Sequence, residues 1–343
     1  MDVSRIFVHG LGAVSPAGWG VASLSEVLRK QESIPVSALE RPGWEKPLQV
    51  RSVPPPSQRP AFLAHPRLRR SSVITQHTVA AALEAFGDDA VKFQRGEQRL
   101  GILVCLMSGC VAYSRRFYEE VMHDPAAASP LIFPETVFNA PGSHLAAYLN
   151  SPGISYTLVG DDSAFLQGLA VGAGWLLNGE VDGCVILGAE ELDWLVADAM
   201  RLFVRSQIQA GGAGAVYLRR EKSASGVELA AITDAFRFSS SESRSLAAQA
   251  IRAQLPPATG RDLLSLGTQG LPSSDADELE AWHDWKSSRV APKQFLGAAF
   301  TASAAWQCVA ACDRLTRGDF EAANVSVVGV NQQAIGARFL KQS

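Results

Sequence analysis

The hydrophobic positions fall into short runs, many apolar on both faces, separated by helical repeats. "RIFVHGLGAVSPAG" (5–18) predicts a buried strand that ends in a Gly/Pro turn. "VASLSEVLRK" (21–30) predicts a helix. From Pro35 to Pro66 the chain is rich in proline, with "PPP" at 54–56, and predicts an irregular surface loop. "SSVITQHTVAAALEAFG" (71–87) has helical periodicity behind a serine start signal. "RLGILVCLMSG" (99–109) is an apolar run of strand length, 143–149 predicts a short helix, and 154–159 another strand. "AFLQGLAVGAGWLLNG" (164–179) is apolar on nearly every side, the pattern of a helix in the middle of a protein. Gly168, Gly172 and Gly174 on it predict close approach of another backbone. "VDGCVILGAEE" (181–191) predicts a buried strand.

After about residue 208 the pattern begins again. "GAGAVYLRRE" (212–221) and "VELAAITDAFRF" (227–238) predict adjacent strands. A helix (242–254), a short strand near "LLSLG" (263–267), a buried Ala-rich helix (297–316) and a final strand pair (324–340) follow. Strands mixed with buried helices in two successive sets predict an α/β fold with helices sandwiched between sheets. The division falls between residues 1–208 and 209–343.

Composition narrows the function. The chain has 343 residues, 47% of them hydrophobic, and a net charge of −3, which suits one large or two medium globular domains. That charge predicts neither nucleic acid nor a membrane surface as partner. The apolar stretches are too short or too interrupted by glycine to span a bilayer, and "MDVSRIFVHGLG" lacks the form of a signal peptide, so a cytoplasmic protein is expected. Cys105, Cys110, Cys184, Cys308 and Cys312 lie mostly in apolar runs and read as reduced core thiols. No metal spacing occurs, and no cofactor is expected.

Candidate chemistry starts at "TLVGDDSAFLQG" (157–168), where a β-rich run meets a glycine, two aspartates and an apolar helix. Enzymes place nucleophiles at such corners because the helix N-terminus stabilises negative charge. Here the corner holds Asp161, Asp162 and Ser163.

Six stretches, in order, resemble motifs of the β-ketoacyl synthases, the condensing enzymes of the thiolase superfamily. "VHGLGAVSPAG" is similar to the family's opening "ITGLGAVSPLG", and "FPETVFNAPGSHLA" (133–146) to "VPSTISNxxAGHLS". The stretch 153–191 runs alongside "GPSxTVxTACSSGLxALxxAxxxIxxGxxDxxxAGGxE". "GAGAVYLRRE" is similar to "GAGxLVLEE", and "APKQFLGAAFTASAA" to "SxKSxxGHxxGAAG". "SLGTQG" (265–270) stands where the family has "HGTGT". The resemblance implies a layered αβαβα fold made of two similar halves.

The family's chemistry uses a thiolate to carry the acyl chain and two imidazoles to assist decarboxylation and hold the oxyanion. Carried over residue by residue, the cysteine falls on Asp162, one histidine on Leu266 and the other on Ala298. The lysine of the family's "SxKSxxGHxxGAAG" is retained as Lys293. No histidine lies between His144 and His283, so no shift of frame restores one. The family's "GFGGTN" gate is replaced by "GVNQQA" (329–334), placing Gly329, Val330 and Asn331 in a gate-like loop. The segment before "GAGAVYLRRE" is shortened to "FVRSQIQAGGAGA", by roughly twenty residues relative to the family.

Leu266 and Ala298 can neither donate nor accept a side-chain hydrogen bond. A carboxylate at the helix N-terminus is expected to have a depressed pKa and to be a weak nucleophile. Asp162 therefore reads first as an N-cap, and second as a charge that mimics a thiolate. Relatives with glutamine there are chain-length factors or loading-type decarboxylases. Lys293 is expected to pair with Asp162 or Glu190. His144 reads as a structural interface residue. Ile132, Phe133, Phe138 and Asn139 lie in the segment that, in the family, crosses the dimer interface and lines the acyl tunnel. "HPRLRRSS" (65–72) reads as a solvated basic face, or a docking patch for an acidic carrier protein.

The implied function is a non-catalytic, chain-length-factor-like subunit. It would pair with an active ketosynthase and take part with an acyl carrier protein in type II polyketide, aryl-polyene or fatty-acid-like synthesis. Two alternatives stand beside it: a malonyl- or acyl-carrier-protein decarboxylase using Asp162 and Lys293, and a homodimeric acyl-binding scaffold.

Overall fold

A computed structural model describes residues 6–239, 243–330 and 333–342. The first half contains β1 (Phe7–Ser15), β2 (Gly18–Trp19), α1 (Val21–Lys30), β3 (Ser37–Leu39), β4 (Leu48–Arg51), α2 (Val73–Phe86), α3 (Asp89–Gln94) and β5 (Leu100–Leu106). It continues through α4 (Val111–His123), α5 (Ala140–Tyr148), β6 (Ser155–Val159), α6 (Ala164–Leu177), β7 (Gly183–Glu190) and α7 (Trp194–Met200). Then come β8 (Gln209–Ala210), β9 (Gly212–Arg219), β10 (Val227–Ile232), β11 (Phe236–Arg237), α8 (Arg244–Gln254) and β12 (Asp262–Ser265). The chain ends with α9 (Pro272–Ala281), β13 (Ser288–Val290), α10 (Pro292–Leu296), α11 (Phe300–Thr316), β14 (Ala322–Val328) and β15 (Gln333–Lys341).

Twelve strands form one mixed sheet along the path β13-β12-β14-β15-β10-β1-β9-β7-β5-β6, with β11 against β15 and β2 against β1. The pairings β5–β6, β5–β7, β12–β13 and β12–β14 are parallel, and the centre is antiparallel. Helices α6 and α11 are packed in the central core with side chains from both ends of this path. Outside it, α2 and α5 cover one flank, and α8 with Trp282 and Trp285 covers the other. The result is five layers, α, β, α, β, α.

The central helices explain the apolar runs. Every residue of α11 from Phe300 to Cys312 is buried, which only small side chains allow when strands press on several faces. Thr301 Oγ1 donates to the Cys105 carbonyl (2.7 Å) and Trp306 Nε1 to the Ala213 carbonyl (3.0 Å), so these two polar groups of the helix are satisfied by the sheet. Gly168 and Gly172 of α6 lie against Cys105, Cys184 and Ile186 side chains, not against another backbone as expected, while Gly174 faces open space. All five cysteines are free and buried.

Four further expectations change. The stretches 212–219 and 227–232 are not neighbours, because β1 lies between β9 and β10. The proline-rich stretch is not wholly irregular: β3, β4 and β8 make a small second sheet. The helix expected at 297–316 starts at Phe300, and a separate short helix, α10, precedes it and ends at Gly297 with φ +89°. The helices α3, α4, α7 and α9 carry no strong apolar stripe and escape a search for periodicity. The expected helix 242–254 is described from Arg244, and Asn331 lies outside the described residues.

Candidate functional site

Strand β6 ends at Val159, Gly160 donates its N–H to the Leu106 carbonyl (3.1 Å), and α6 begins at Ala164. Within this corner the N-cap position of α6 is Ser163, whose side chain makes no capping bond, and Asp161, not Asp162, braces the turn. Its Oδ1 accepts from the Ser163 backbone N–H (3.1 Å) and from the Ser163 hydroxyl (2.5 Å). That leaves the Asp162 side chain free to turn into the interior, where it contacts the Lys293 ammonium of α10. The lysine side chain is 8% exposed and the aspartate 3%. The expected N-cap at Asp162 is thus corrected by one residue.

Burial is the largest influence on the Asp162 carboxyl and pushes its pKa up; Lys293 pulls it down and Asp161 pushes it up again. The depressed value expected from the helix dipole does not arise, because desolvation outweighs it. Glu190, the alternative partner for Lys293, is spent elsewhere. Its carboxylate accepts from Met107 N–H (2.6 Å), Ser108 N–H (3.2 Å), the Ser108 hydroxyl (2.6 Å) and the Thr301 hydroxyl (3.2 Å).

The space beside the ion pair is about 20 Å³, room for roughly one water. Asp162, Lys293, Ala298, Phe300 and Val330 line it, together with a polar set that motif reading did not single out: Gln207, Arg244, Gln269, Asp275 and Glu278. Asp275 accepts from the backbone N–H groups of Gln269, Gly270 and Leu271, and fixes the turn before α9. Glu278 accepts from Gly267 N–H (3.1 Å), and burial raises its pKa to about 7. Asp275 and Glu278 are three apart on one helix; that spacing was the available signal.

Of the carried-over positions, Ala298 faces the cavity, and its backbone is locked by bonds to Ile208 and Ala210. Leu266 does not line it; the side chain belongs to an apolar cluster with Trp282, Trp285 and Val328. Gly329 touches the site through Asp161, whose carboxylate lies against its Cα. His144 is elsewhere, bonded through Nε2 to Glu135 Oε1 (2.6 Å). Ile132 is buried, whereas Phe133, Phe138 and Asn139 are exposed. Phe133 stacks at 5.5 Å on Phe117 of α4. Arg67, Arg69 and Arg70 of the basic cluster are exposed. Among the described residues no group of three His, Cys, Asp or Glu is placed to hold a metal, and no helix is long and apolar enough to cross a membrane.

The layered fold coincides with known structures. The ishigamide ketosynthase/chain length factor superposes with a TM-score of 0.82 at 18% identity, over 98% of this chain and 99% of that one. The fold is that of the β-ketoacyl synthases. A structure of a type II polyketide synthase acyl-carrier protein in complex with its ketosynthase bound to the hexaketide matches with a TM-score of 0.79 at 16% identity, covering 98% and 99% of the two chains. A β-ketoacyl synthase from Burkholderia phymatum matches at 0.79 and 14%, over the full length of both. No family model and no curated protein matches the sequence. Within this ketosynthase fold, the buried cavity has an Asp–Lys pair and no thiol or imidazole.

Proposed function

We propose that this chain is a non-catalytic, chain-length-factor-like subunit that pairs with an active ketosynthase and helps bound the growing acyl chain. The observation that carries this reading is the Asp162–Lys293 pair sealed beside a 20 Å³ cavity. A carboxylate held by an ammonium, with no room for a thioester, has neither the nucleophilicity nor the access that acyl transfer needs.

The surface supports the pairing. Strand β6 is hydrogen-bonded on one side only, so its outer edge is an open template for another strand. Tyr156 and Val159 on it are each 58% exposed. Leu131, Phe133, Val137 and Phe138, in the segment leading to α5, expose further apolar surface, and α5 itself packs on β5 and β6. Such apolar exposure is what an interface covers. A carrier protein serving the pair would bring the acyl units.

The decarboxylase alternative uses the same Asp162 and Lys293 but needs the cavity to open. The homodimeric scaffold uses the same β6 edge. Co-expression with the ketosynthase of its own pathway, followed by gel filtration with light scattering, tests the proposal. A 1:1 heterodimer is expected. Separate species at every concentration refute it, and a stable homodimer that ignores the ketosynthase favours the scaffold.

A further inference from the structure

A second cavity, of about 740 Å³, opens between the loop 41–49 that joins β3 to β4 and the stretch 197–209 that joins α7 to β8. Its far wall is the segment shortened relative to the ketosynthase pattern. Arg41, Lys46, Arg201 and Arg205 line it, against a single lining acid, Glu45. Asp198 stands close by, bonded to Arg41 and 3.7 Å from Arg201.

Three features show unmet demand for an anion. Arg41 is 8% exposed, and its Nε is buried without a hydrogen-bond partner. An unsatisfied buried donor of this kind is costly, so an acceptor is wanted there. Among the described residues Lys46 and Arg205 are exposed and carry no ion pair or hydrogen bond. The Arg41 guanidinium lies 3.8 Å from the centre of the Trp44 ring, and Trp44 remains 62% exposed. A cation-backed indole offers its open side to a flat ring.

We propose that this groove binds a phosphorylated small molecule carrying a flat ring, its phosphates on Arg41, Lys46 and Arg205 and its ring on Trp44. The arginine fork matches phosphate oxygens in pairs, and the volume is within the range of small-molecule sites. The ligand stays outside the Asp162 pocket. Gln209 Nε2 donates to Gln207 Oε1 (2.6 Å), and Gln207 Nε2 donates to Gln269 Oε1 (2.6 Å). Gln207 lines both cavities, so this chain of three amides is the wall between them. The inference stands whether or not the chain pairs with a ketosynthase.

The test is calorimetric titration of the full chain with ADP, pyrophosphate and adenosine. ADP is expected to bind more tightly than either fragment, and more weakly as salt rises. Arg205→Glu and Lys46→Glu, both at exposed positions, should each weaken ADP about tenfold or more. Trp44→Leu should erase the preference for ADP over pyrophosphate. Failure of both ADP and pyrophosphate to bind overturns the proposal, as does ADP binding unchanged by Arg205→Glu. Binding of a phosphopantetheine-bearing carrier protein at these residues, with no binding of free phosphates, also overturns it by assigning the cations to the carrier.

Discussion

The backbone of Gly329 lies so close to the Asp161 carboxylate that a Cβ at position 329 would overlap its Cγ and both oxygens. Asp161 cannot retreat, because Ser163 donates to its Oδ1 through both backbone and hydroxyl. The loop after β14 and the corner before α6 are therefore one unit. Gly329→Ala is expected to lower stability by about 1–3 kcal/mol through overpacking. Denaturant unfolding measures it, and an unchanged midpoint would show that the loop yields freely.

The Asp162–Lys293 pair should behave as a buried ion pair whose members depend on each other. Asp162→Ala or Lys293→Met alone leaves a charge stranded and is expected to cost about 3–5 kcal/mol. The double variant should cost much less than the sum. Additive losses in this cycle would mean that the two groups do not interact.

Restoring the thiol should not restore condensation. In Asp162→Cys the positions that carry the family's two histidines are still Leu266 and Ala298, so no imidazole aids decarboxylation or holds an oxyanion. The expected outcome is no turnover of malonyl- and acyl-carrier-protein substrates by the isolated variant. Product detected by mass spectrometry would contradict it.

Stability should fall as the solution is made more alkaline between about pH 4.5 and 7. Burial raises the pKa of Glu190, Glu191 and Glu278 to about 7 from the ordinary 4.5 of a glutamate. Over that window the folded chain holds protons that the unfolded chain has released, so each carboxyl's contribution, present in full below pH 4.5, is lost as pH rises through about 7. The loss is at most on the order of 3 kcal/mol per group. Thermal midpoints across the range measure it, and Glu278→Gln should flatten the slope. Glu191 also accepts from the Ala112 N–H (2.9 Å) at the start of α4, which ties that helix to the effect.

Charges on the open edge should separate pairing from folding. Tyr156→Lys with Val159→Asp is expected to change the unfolding free energy of the isolated chain by no more than about 1 kcal/mol, because both sites are exposed. The same variant should abolish heterodimer formation in gel filtration. Persistence of the heterodimer would place the interface elsewhere.

Much was legible in the chain. Continuous apolar runs at 99–109 and 181–191 can only be strands covered on both faces, and they are β5 and β7. The absence of a thiol and of imidazoles at the motif positions followed from residue identity alone. What could not be read was which aspartate would brace the turn before the helix and which would turn into the interior. Asp161 and Asp162 have equal local propensity, and the choice is made by Gly329 on one side and Lys293 on the other, both more than 130 residues away. The size of the cavity, the desolvation that raises the Asp162 pKa and the glutamine wall also depend on long-range packing. The amino-acid sequence by itself determined the succession of buried strands and helices and the side chains at the motif positions, because hydrophobic period and side-chain type are local properties. Only the tertiary structure decided the partner of each charge and the open edge at β6, because burial and pairing exist only once distant segments meet.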